Sequence, residues 1–286
     1  MTPECVFEVP PGAAAVPLSI LKVRDDAVIA APDHLAVEEP LEIRLGGMAF
    51  TVTMRTPGHD EDLVAGLLHG EGVIRGADSL DVIARYRGPG GEPHANVINV
   101  LLKGNLHVAR ERLRRSLISS SACGVCGKVS IEAIRTGSAP VASAAAVSPA
   151  LFPRLAAALA AAQPTFERTG GLHAAALFDL AGRLFVLRED VGRHNAVDKV
   201  VGHMLRVGSF PLDDCILMVS GRASFEIMQK AWSARIPIVA AVSAPSSMAV
   251  QLALAADITL VGFLRGGSFN VYAGAHRVTT AVPEPV

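Results

Sequence analysis

Short, continuous runs of apolar residues alternate with helical patterns through the second half of the chain. Such runs are typical of strands that are covered on both faces, and the segments between them carry helix start and stop signals. The alternation predicts a sheet between helices, largely parallel where crossovers connect its strands. The predicted strands are 183–187, 215–219, 236–242 and 257–263, and the predicted helices are 148–163, 195–206, 225–234 and 246–255.

The first half of the chain predicts a smaller unit that mixes strands with one helix. Residues 41–45 and 49–54 have the pattern of two short strands, and Gly46-Gly47 between them suits a tight hairpin. Asp60 is placed to cap a helix that carries an apolar stripe. Further strands are predicted at 96–102 and 106–108.

Taken together, these patterns predict an α/β protein with a small α+β N-terminal module and a larger α/β C-terminal module. A cysteine-containing segment lies between the two. The predicted divisions are a flexible arm of residues 1–17, the N-terminal module of 18–115, a mobile Cys loop of 116–130, the C-terminal module of 131–280 and a tail of 281–286.

Composition narrows the class of protein. The chain has 286 residues and a net charge of −1, which argues against a general nucleic-acid-binding surface. Its mean hydropathy is +0.39, but no apolar run approaches the roughly 18 residues that cross a bilayer. No secretory signal is evident at the N-terminus. We therefore expect a cytoplasmic protein with reduced thiols.

The segment Cys123-Gly-Val-Cys126 carries the most specific chemistry in the sequence. Two thiols stand one short loop apart with glycine beside each, and Lys128 follows. A cation nearby lowers the pKa of a thiol and so favours the reactive thiolate. The chemistry open to this loop is sulfur transfer, thiol–disulfide exchange or half of a zinc site. By contrast, Cys215 begins an apolar strand and is expected to be buried.

A zinc site is the alternative interpretation of the cysteines. His69-Gly-Glu71, combined with Cys123 and Cys126, resembles the ligand and acid/base set of zinc deaminases. However, no proline precedes Cys123, and His69 belongs to the other module. We therefore predict that His69 is a surface histidine and that no metal site is present, with a zinc-dependent deaminase-like enzyme as the competing hypothesis.

Turns rich in glycine, serine and arginine follow three successive predicted strands, at 220–224, 243–247 and 263–272. Backbone N–H groups that lead into a helix N-terminus, with arginine nearby, favour phosphate. No turn matches a standard ATP or NAD motif, so the pattern predicts a site for a large, phosphorylated, heteroaromatic ligand. Candidate binding residues at these turns and at neighbouring strand ends are His173, His194, Ser220, Arg222 and Ser243.

Several motifs together resemble the FdhD family, the formate dehydrogenase accessory sulfurtransferases. The resemblance extends from about residue 18 to 278. The motifs that carry it lie at 56–58, 121–128, 169–173, 189–199, 220–226 and 243–247.

This resemblance implies a function that the residues alone do not give. It implies a cytoplasmic homodimer whose C-terminal module resembles the cytidine deaminase α/β/α fold without its zinc site. Cys123 would carry a persulfide received from a cysteine desulfurase, with Cys126 as an accessory thiol. The sulfur would pass to the molybdenum or tungsten bis(molybdopterin guanine dinucleotide) cofactor, bound as substrate, before its insertion into formate dehydrogenase. The implied cofactor-binding residues are Phe263, Leu264, Arg265, Gly266, Gly267 and Ser268.

A non-enzymatic alternative also remains open. In that case the chain would bind the cofactor as a chaperone and would not carry sulfur itself. The thiols lie far along the chain from the presumed binding turns, so cofactor binding and sulfur transfer are expected to be separable.

Overall fold

The described residues form two structural modules, each built on its own β-sheet. The computed structural model describes residues 9–88, 90–103 and 139–279. The cysteines at 123 and 126, Lys128 and the predicted strand at 106–108 lie outside the described residues.

The N-terminal module is a four-stranded sheet with a helix on one face. Its strands are β3 (Glu39–Leu45), β4 (Met48–Arg55), β5 (Leu80–Arg87) and β6 (Pro93–Leu102), and its helix is α1 (Asp60–Gly70). The sheet order is β4-β3-β6-β5. The predicted hairpin at Gly46-Gly47 is confirmed, and both glycines have positive φ. Apolar residues of β3, β6 and α1 form the core of this module.

A long antiparallel hairpin precedes this sheet. It consists of β1 (Ala15–Arg24) and β2 (Ala27–Ala36), and neither strand was predicted from the sequence. Strand β1 begins at Ala15 and Val16 is buried, so the last residues of the predicted arm belong to a strand. The base of β2 packs beside Gly171, whose Cβ position lies 3.3 Å from Ala36 Cβ.

The C-terminal module is a six-stranded sheet covered by helices on both faces. The sheet order is β12-β11-β10-β9-β7-β8. The strands are β7 (His173–Asp179), β8 (Leu184–Asp190), β9 (Cys215–Val219), β10 (Ile238–Ala241), β11 (Thr259–Arg265) and β12 (Ser268–Ala273). The helices are α2 (Leu151–Ala161), α3 (Pro164–Thr169), α4 (Arg193–Arg206), α5 (Phe225–Ser233) and α6 (Ser247–Ala256).

The predicted α/β class is confirmed, and the parallel pairing occurs where helices connect the strands. Strands β9, β10 and β11 are parallel, while β7, β8 and β12 pair antiparallel. Helices α4, α5 and α6 pack on one face of the sheet, and α2 packs on the other. The longest described helix has 14 residues, and no described helix is long and apolar enough to cross a membrane.

The two modules meet where α1 lies along α4. At Gly66 an added Cβ would lie 2.0 Å from the carbonyl oxygen of Asp198, and at Gly202 it would lie 1.9 Å from that of Asp62. These glycines allow the two helix backbones to touch, an approach that any other residue would prevent. The helices therefore hold the N-terminal module against the C-terminal sheet.

Two helix starts differ from their predictions. Asp60 lies inside the first turn of α1, and the residue before the helix is His59 with φ of 55°. Helix α2 begins at Leu151 rather than at Ser148, whose hydroxyl oxygen accepts a hydrogen bond from Ala150 N at 3.3 Å. In both cases the polar side chain occupies the helix entry, but one or two residues away from the expected position.

Candidate functional site

One edge of the six-stranded sheet collects the predicted binding turns. Because β9, β10 and β11 are parallel, their carboxyl ends and the turns that follow lie at the same edge. Strand β7 runs the opposite way, so its first residue, His173, also lies there, paired with the last residue of β8, Asp190. The structure thus brings together the five candidate residues at 173, 194, 220, 222 and 243.

The turns after β9 and β10 are tied to each other and to β7. Ser220 N donates to Ala174 O at 2.9 Å, and Ala174 N donates back to the Ser220 hydroxyl oxygen at 2.9 Å. Ser243 N donates to Gly221 O at 3.4 Å, and Ser246 N donates to Ala223 O at 3.0 Å. These bonds fix the backbone of both turns, which leads into α5 and α6.

His173 stands over the first of these turns. A Cβ at Gly221 would lie 3.2 Å from the imidazole Nδ1 of His173, so glycine leaves room for the ring. The ring is half-buried. Burial lowers the pKa of His173, and the positive charges of Arg193 and Arg222 lower it further. His173 is therefore neutral at pH 7 and can accept or donate one hydrogen bond at each ring nitrogen according to its tautomer.

His194 lies in the first turn of α4, and its Nε2 faces α5. That nitrogen is 3.3 Å from the Ser224 hydroxyl oxygen and 3.5 Å from Glu226 Oε2. Burial, together with the positive charge of Arg193, lowers the pKa of His194 to about 4, although Glu226 opposes the shift. A second neutral imidazole therefore borders the sheet edge.

The turn predicted within 263–272 is present, but it is the two-residue turn of a hairpin whose strands take up the rest of that segment. Strand β12 pairs back on β11, with Arg265 opposite Ser268 and a tight turn at Gly266-Gly267. The register shifts between Gly262 and Arg265, as in a β-bulge. A hairpin rather than a helix N-terminus therefore borders this part of the site.

Within this hairpin, Phe263 and Leu264 have opposite environments. Phe263 has φ of 53°, unfavourable for an aromatic residue, and the residue is 42% exposed. Unfavourable backbone geometry is often found at ligand sites. Leu264 is buried in the core beneath the sheet, so its predicted contact with the cofactor is not supported and its role is packing. Arg265 is exposed.

Three polar residues of the motif at 189–199 join the two modules: Asp190, Asn195 and Lys199. Asp190 is fully buried and pairs with Lys199 Nζ at 2.7 Å. Lys199 Nζ also donates to Thr56 O at 2.9 Å, and Asn195 Nδ2 donates to Met54 O at 2.7 Å. Thr56, the first residue of the motif at 56–58, supplies one of these backbone acceptors.

Arg193 is a residue at this edge that was not predicted from the sequence. It is the first residue of α4, directly before His194. Its Nε is buried without a hydrogen-bond partner among the described residues. The signal that could have identified it is its place beside His194 in the 189–199 motif, at the end of a strand.

His69 is buried, so its prediction as a surface histidine is wrong. Its Nε2 lies 3.1 Å from both the carbonyl and the hydroxyl oxygen of Ser233, and its ring contacts Phe210 edge-on. Burial lowers the pKa of His69. These contacts give His69 a packing role at the junction of the modules. Among the described residues no cluster of three or more histidine, cysteine or acidic side chains could hold a metal.

Cys215 is buried at the start of β9, as predicted. Burial, together with the nearby carboxylate of Asp214, raises the pKa of its thiol to about 11. A thiol with so high a pKa is a poor nucleophile at pH 7.

Comparison with known proteins identifies the family. The model of the FdhD/NarQ family matches residues 36–279. The chain belongs to the FdhD/NarQ family. It is 51% identical over 268 residues to the "Sulfur carrier protein FdhD" of Streptomyces avermitilis, which covers 91% of this chain and 94% of the relative. It is 49% identical over 262 residues to the protein of the same name from Mycobacterium tuberculosis, with 89% and 95% covered.

A solved structure shows the same fold. It is a crystal structure from Desulfotalea psychrophila, of a protein to which a role as formate dehydrogenase accessory protein has been ascribed. The TM-score is 0.74 at 25% sequence identity, over 93% of this chain and 100% of the other. The two proteins therefore share this fold over nearly the whole of both chains.

Proposed function

We propose that this protein is a sulfurtransferase that carries sulfur as a persulfide on Cys123 and delivers it to a molybdenum or tungsten bis(molybdopterin guanine dinucleotide) cofactor. The recipient of the sulfurated cofactor is formate dehydrogenase, and the sulfur donor is a cysteine desulfurase. The observation that carries the proposal is the sheet edge, where arginines and neutral imidazoles meet two backbone turns. Relatives named as sulfur carriers, and a structural neighbour described as a formate dehydrogenase accessory protein, support it.

Loading requires only thiol exchange chemistry. The Cys123 thiolate attacks the outer sulfur of the desulfurase persulfide, a sulfur–sulfur bond forms, and the donor cysteine leaves as thiolate. No external oxidant or reductant enters this step. Lys128, two residues after Cys126, supplies a positive charge that favours the thiolate.

Delivery assigns a role to the second cysteine. The Cys126 thiolate attacks Cys123 Sγ, the outer sulfur leaves at the sulfide level, and a Cys123–Cys126 disulfide forms. A thiol reductant then restores the dithiol. Formation of the Cys123–Cys126 disulfide supplies the two electrons that reduce the sulfane sulfur to sulfide. Cys126 therefore acts as the resolving thiol of the proposed transfer.

The sheet edge suits a large substrate of this kind. Arg265 and Arg222 are exposed, and guanidinium groups bind phosphate or a guanine carbonyl through two parallel hydrogen bonds. The exposed ring of Phe263 offers a face for a heterocycle. The cofactor is a substrate of this reaction, because it would be bound, sulfurated and released.

The test separates binding from transfer. In the Arg265→Ala variant, calorimetry with GDP should show affinity reduced by about tenfold or more, since one charge-assisted contact contributes roughly 1.5–3 kcal/mol. A persulfide-labelling gel should still show sulfur on Cys123. Arg265→Lys should recover little, because lysine lacks the planar fork.

Two outcomes would contradict this proposal in different ways. If Arg265→Ala binds GDP as the parent does, the hairpin is not the guanine site. If the parent carries no persulfide and still activates formate dehydrogenase, the protein is a cofactor-binding chaperone.

A further inference from the structure

We propose that Arg193, together with Arg222, His173 and His194, forms an anion subsite that binds a phosphate or diphosphate group of the substrate, separate from the Phe263–Ser268 hairpin. This inference rests on the proposed function in that one ligand would occupy both places. The phosphate end of that ligand would bind to these four residues, which lie outside the Phe263–Ser268 hairpin.

Three elements bring these four residues to one corner of the sheet. His173 begins β7 and is paired with Asp190 at the end of β8. Arg193 and His194 begin α4, three and four residues after Asp190. Arg222 belongs to the turn after β9, whose neighbour Gly221 lies against the His173 ring. The corner is therefore defined by strand register and does not depend on one loop.

The guanidinium of Arg193 has unused hydrogen-bonding capacity. Its Nε is buried and makes no hydrogen bond to any described residue. No carboxylate in the described part of the chain lies within ion-pair distance of Arg193 or Arg222. A buried guanidinium N–H without a partner is costly, and an anionic ligand would satisfy it.

Neither carboxylate that borders the corner forms an ion pair with Arg193 or Arg222. Asp190 is held by Lys199 at 2.7 Å and accepts hydrogen bonds from Gly192 N and Asn195 Nδ2. Glu226 lies 3.5 Å from His194 Nε2, on the α5 side. Arg193 and Arg222 therefore remain as positive charges without a counter-ion in the described structure.

The two neutral imidazoles can donate hydrogen bonds to the oxygens of an anion bound at this corner. A neutral histidine can donate one N–H to a phosphate oxygen and adds no charge that would need a counter-ion in the free protein. Burial and Arg193 lower the pKa values of both His173 and His194, which keeps them in this form. The charge that attracts the ligand comes from the arginines.

Strand spacing separates this corner from the hairpin. Strands β7 and β11 are three positions apart in the sheet order, which corresponds to about 14 Å at the usual spacing of about 4.8 Å. A ligand that reaches both must be extended, with an anionic group at one end and a heterocycle at the other. A nucleoside diphosphate portion of the substrate has that form.

The experiment measures the two ends of the ligand separately on the full chain. Calorimetry uses inorganic pyrophosphate, guanosine and GDP as probes. Arg193→Ala should lower the affinity for pyrophosphate and for GDP about tenfold or more. The affinity for guanosine should be unchanged. Arg265→Ala should lower the affinity for guanosine and for GDP and leave the affinity for pyrophosphate unchanged. Arg193→Lys, which keeps the charge, should retain more pyrophosphate affinity than Arg193→Ala.

Arg183→Ala is the matched control. It removes the same charge from the opposite edge of the sheet, in the β7–β8 turn, where Arg183 is exposed and paired with Asp179. Binding of all three probes should be unchanged in this variant. A parallel melting curve of Arg193→Ala and Arg193→Lys shows that both are folded.

The possible results separate this inference from the proposed function. If Arg193→Ala binds pyrophosphate as the parent does while Arg265→Ala loses GDP, the anion subsite is wrong and the proposed cofactor site stands. If the parent binds neither pyrophosphate nor GDP, both assignments at the sheet edge are overturned. Persulfide on Cys123 would then still support the sulfur carrier.

Discussion

Single residues at the sheet edge show what kind of site the sequence could reveal. His173 and His194 were predicted from their places beside glycine at strand ends, and the structure puts both at the edge. Arg193 escaped prediction because nothing in the sequence distinguishes an unpaired arginine from one that forms an ion pair. Arg188, five residues earlier, binds Asp62 at 2.8 Å. Whether a guanidinium has a partner depends on distant residues.

The depressed pKa of His194 predicts how stability changes with pH. The unfolded chain binds a proton at this residue below about 6.5, but the folded chain does so only below about 4. The contribution of His194 to stability should therefore increase with pH between these values, and up to about 3 kcal/mol of it should be lost at the acidic end of that window. Denaturant unfolding at pH 4.5, 5.5 and 7 measures the slope of the unfolding free energy against pH. These values lie within and just above that window.

Replacing His194 with Gln removes this titrating group and should make the slope less positive than in the parent, because the opposing contribution of Asp198, whose pKa burial raises to about 6, remains. The same change at His276, which is exposed, serves as the control and should leave the slope as in the parent. If His194→Gln retains the full pH dependence, other groups cause it. The neutral state assigned to His194 at the anion subsite would then lack support.

At the scale of secondary structure, the predictable elements are those whose residues suit both local propensity and burial. Strand β9 was predicted with its exact bounds because Cys215–Val219 is apolar throughout and buried in the sheet centre. Strand β7 was expected only through His173 at a strand end, and its bounds were not predicted, because its three consecutive alanines favour a helix. Strand β12 was missed because its pairing with β11 depends on the Gly266-Gly267 turn. The long hairpin β1–β2 lacks the alternation of a strand with one buried face.

The contact between α1 and α4 predicts the effect of a single methyl group. Gly66→Ala would place Cβ within 2.0 Å of the Asp198 carbonyl oxygen, which is backbone and cannot rotate away. The helices would have to separate, at a cost on the order of 1–3 kcal/mol. A lowered midpoint in urea denaturation, with an unchanged m-value, is the expected result.

Gly70→Ala in the same helix is the control for this change. Its nearest neighbour is the flexible Lys230 Nζ at 3.0 Å, so the stability should change little. Equal losses from Gly66→Ala and Gly70→Ala would mean that close packing of α1 on α4 does not hold the modules together.

At the scale of the whole molecule, the N-terminal module positions the binding edge of the C-terminal sheet. The buried pair of Asp190 and Lys199 and the bond from Asn195 to Met54 fix the start of α4 against β4. Arg193 and His194 are carried on that same helix start. The two-module arrangement could be inferred from the change in sequence pattern along the chain. The contacts that join the two modules could not be inferred, because the residues that form them are more than 130 residues apart in sequence.

The proposed sulfur transfer requires that this chain itself carry sulfur. The most direct measurement is the intact mass of the full chain after incubation with a cysteine desulfurase and cysteine, without reductant. We predict a mass increase of one sulfur atom, removed by a thiol reductant and absent in the Cys123→Ala variant. The Cys215→Ala variant should gain the sulfur like the parent, because that thiol is buried with a pKa of about 11. A parent chain that keeps its unmodified mass and still activates formate dehydrogenase would contradict the claim.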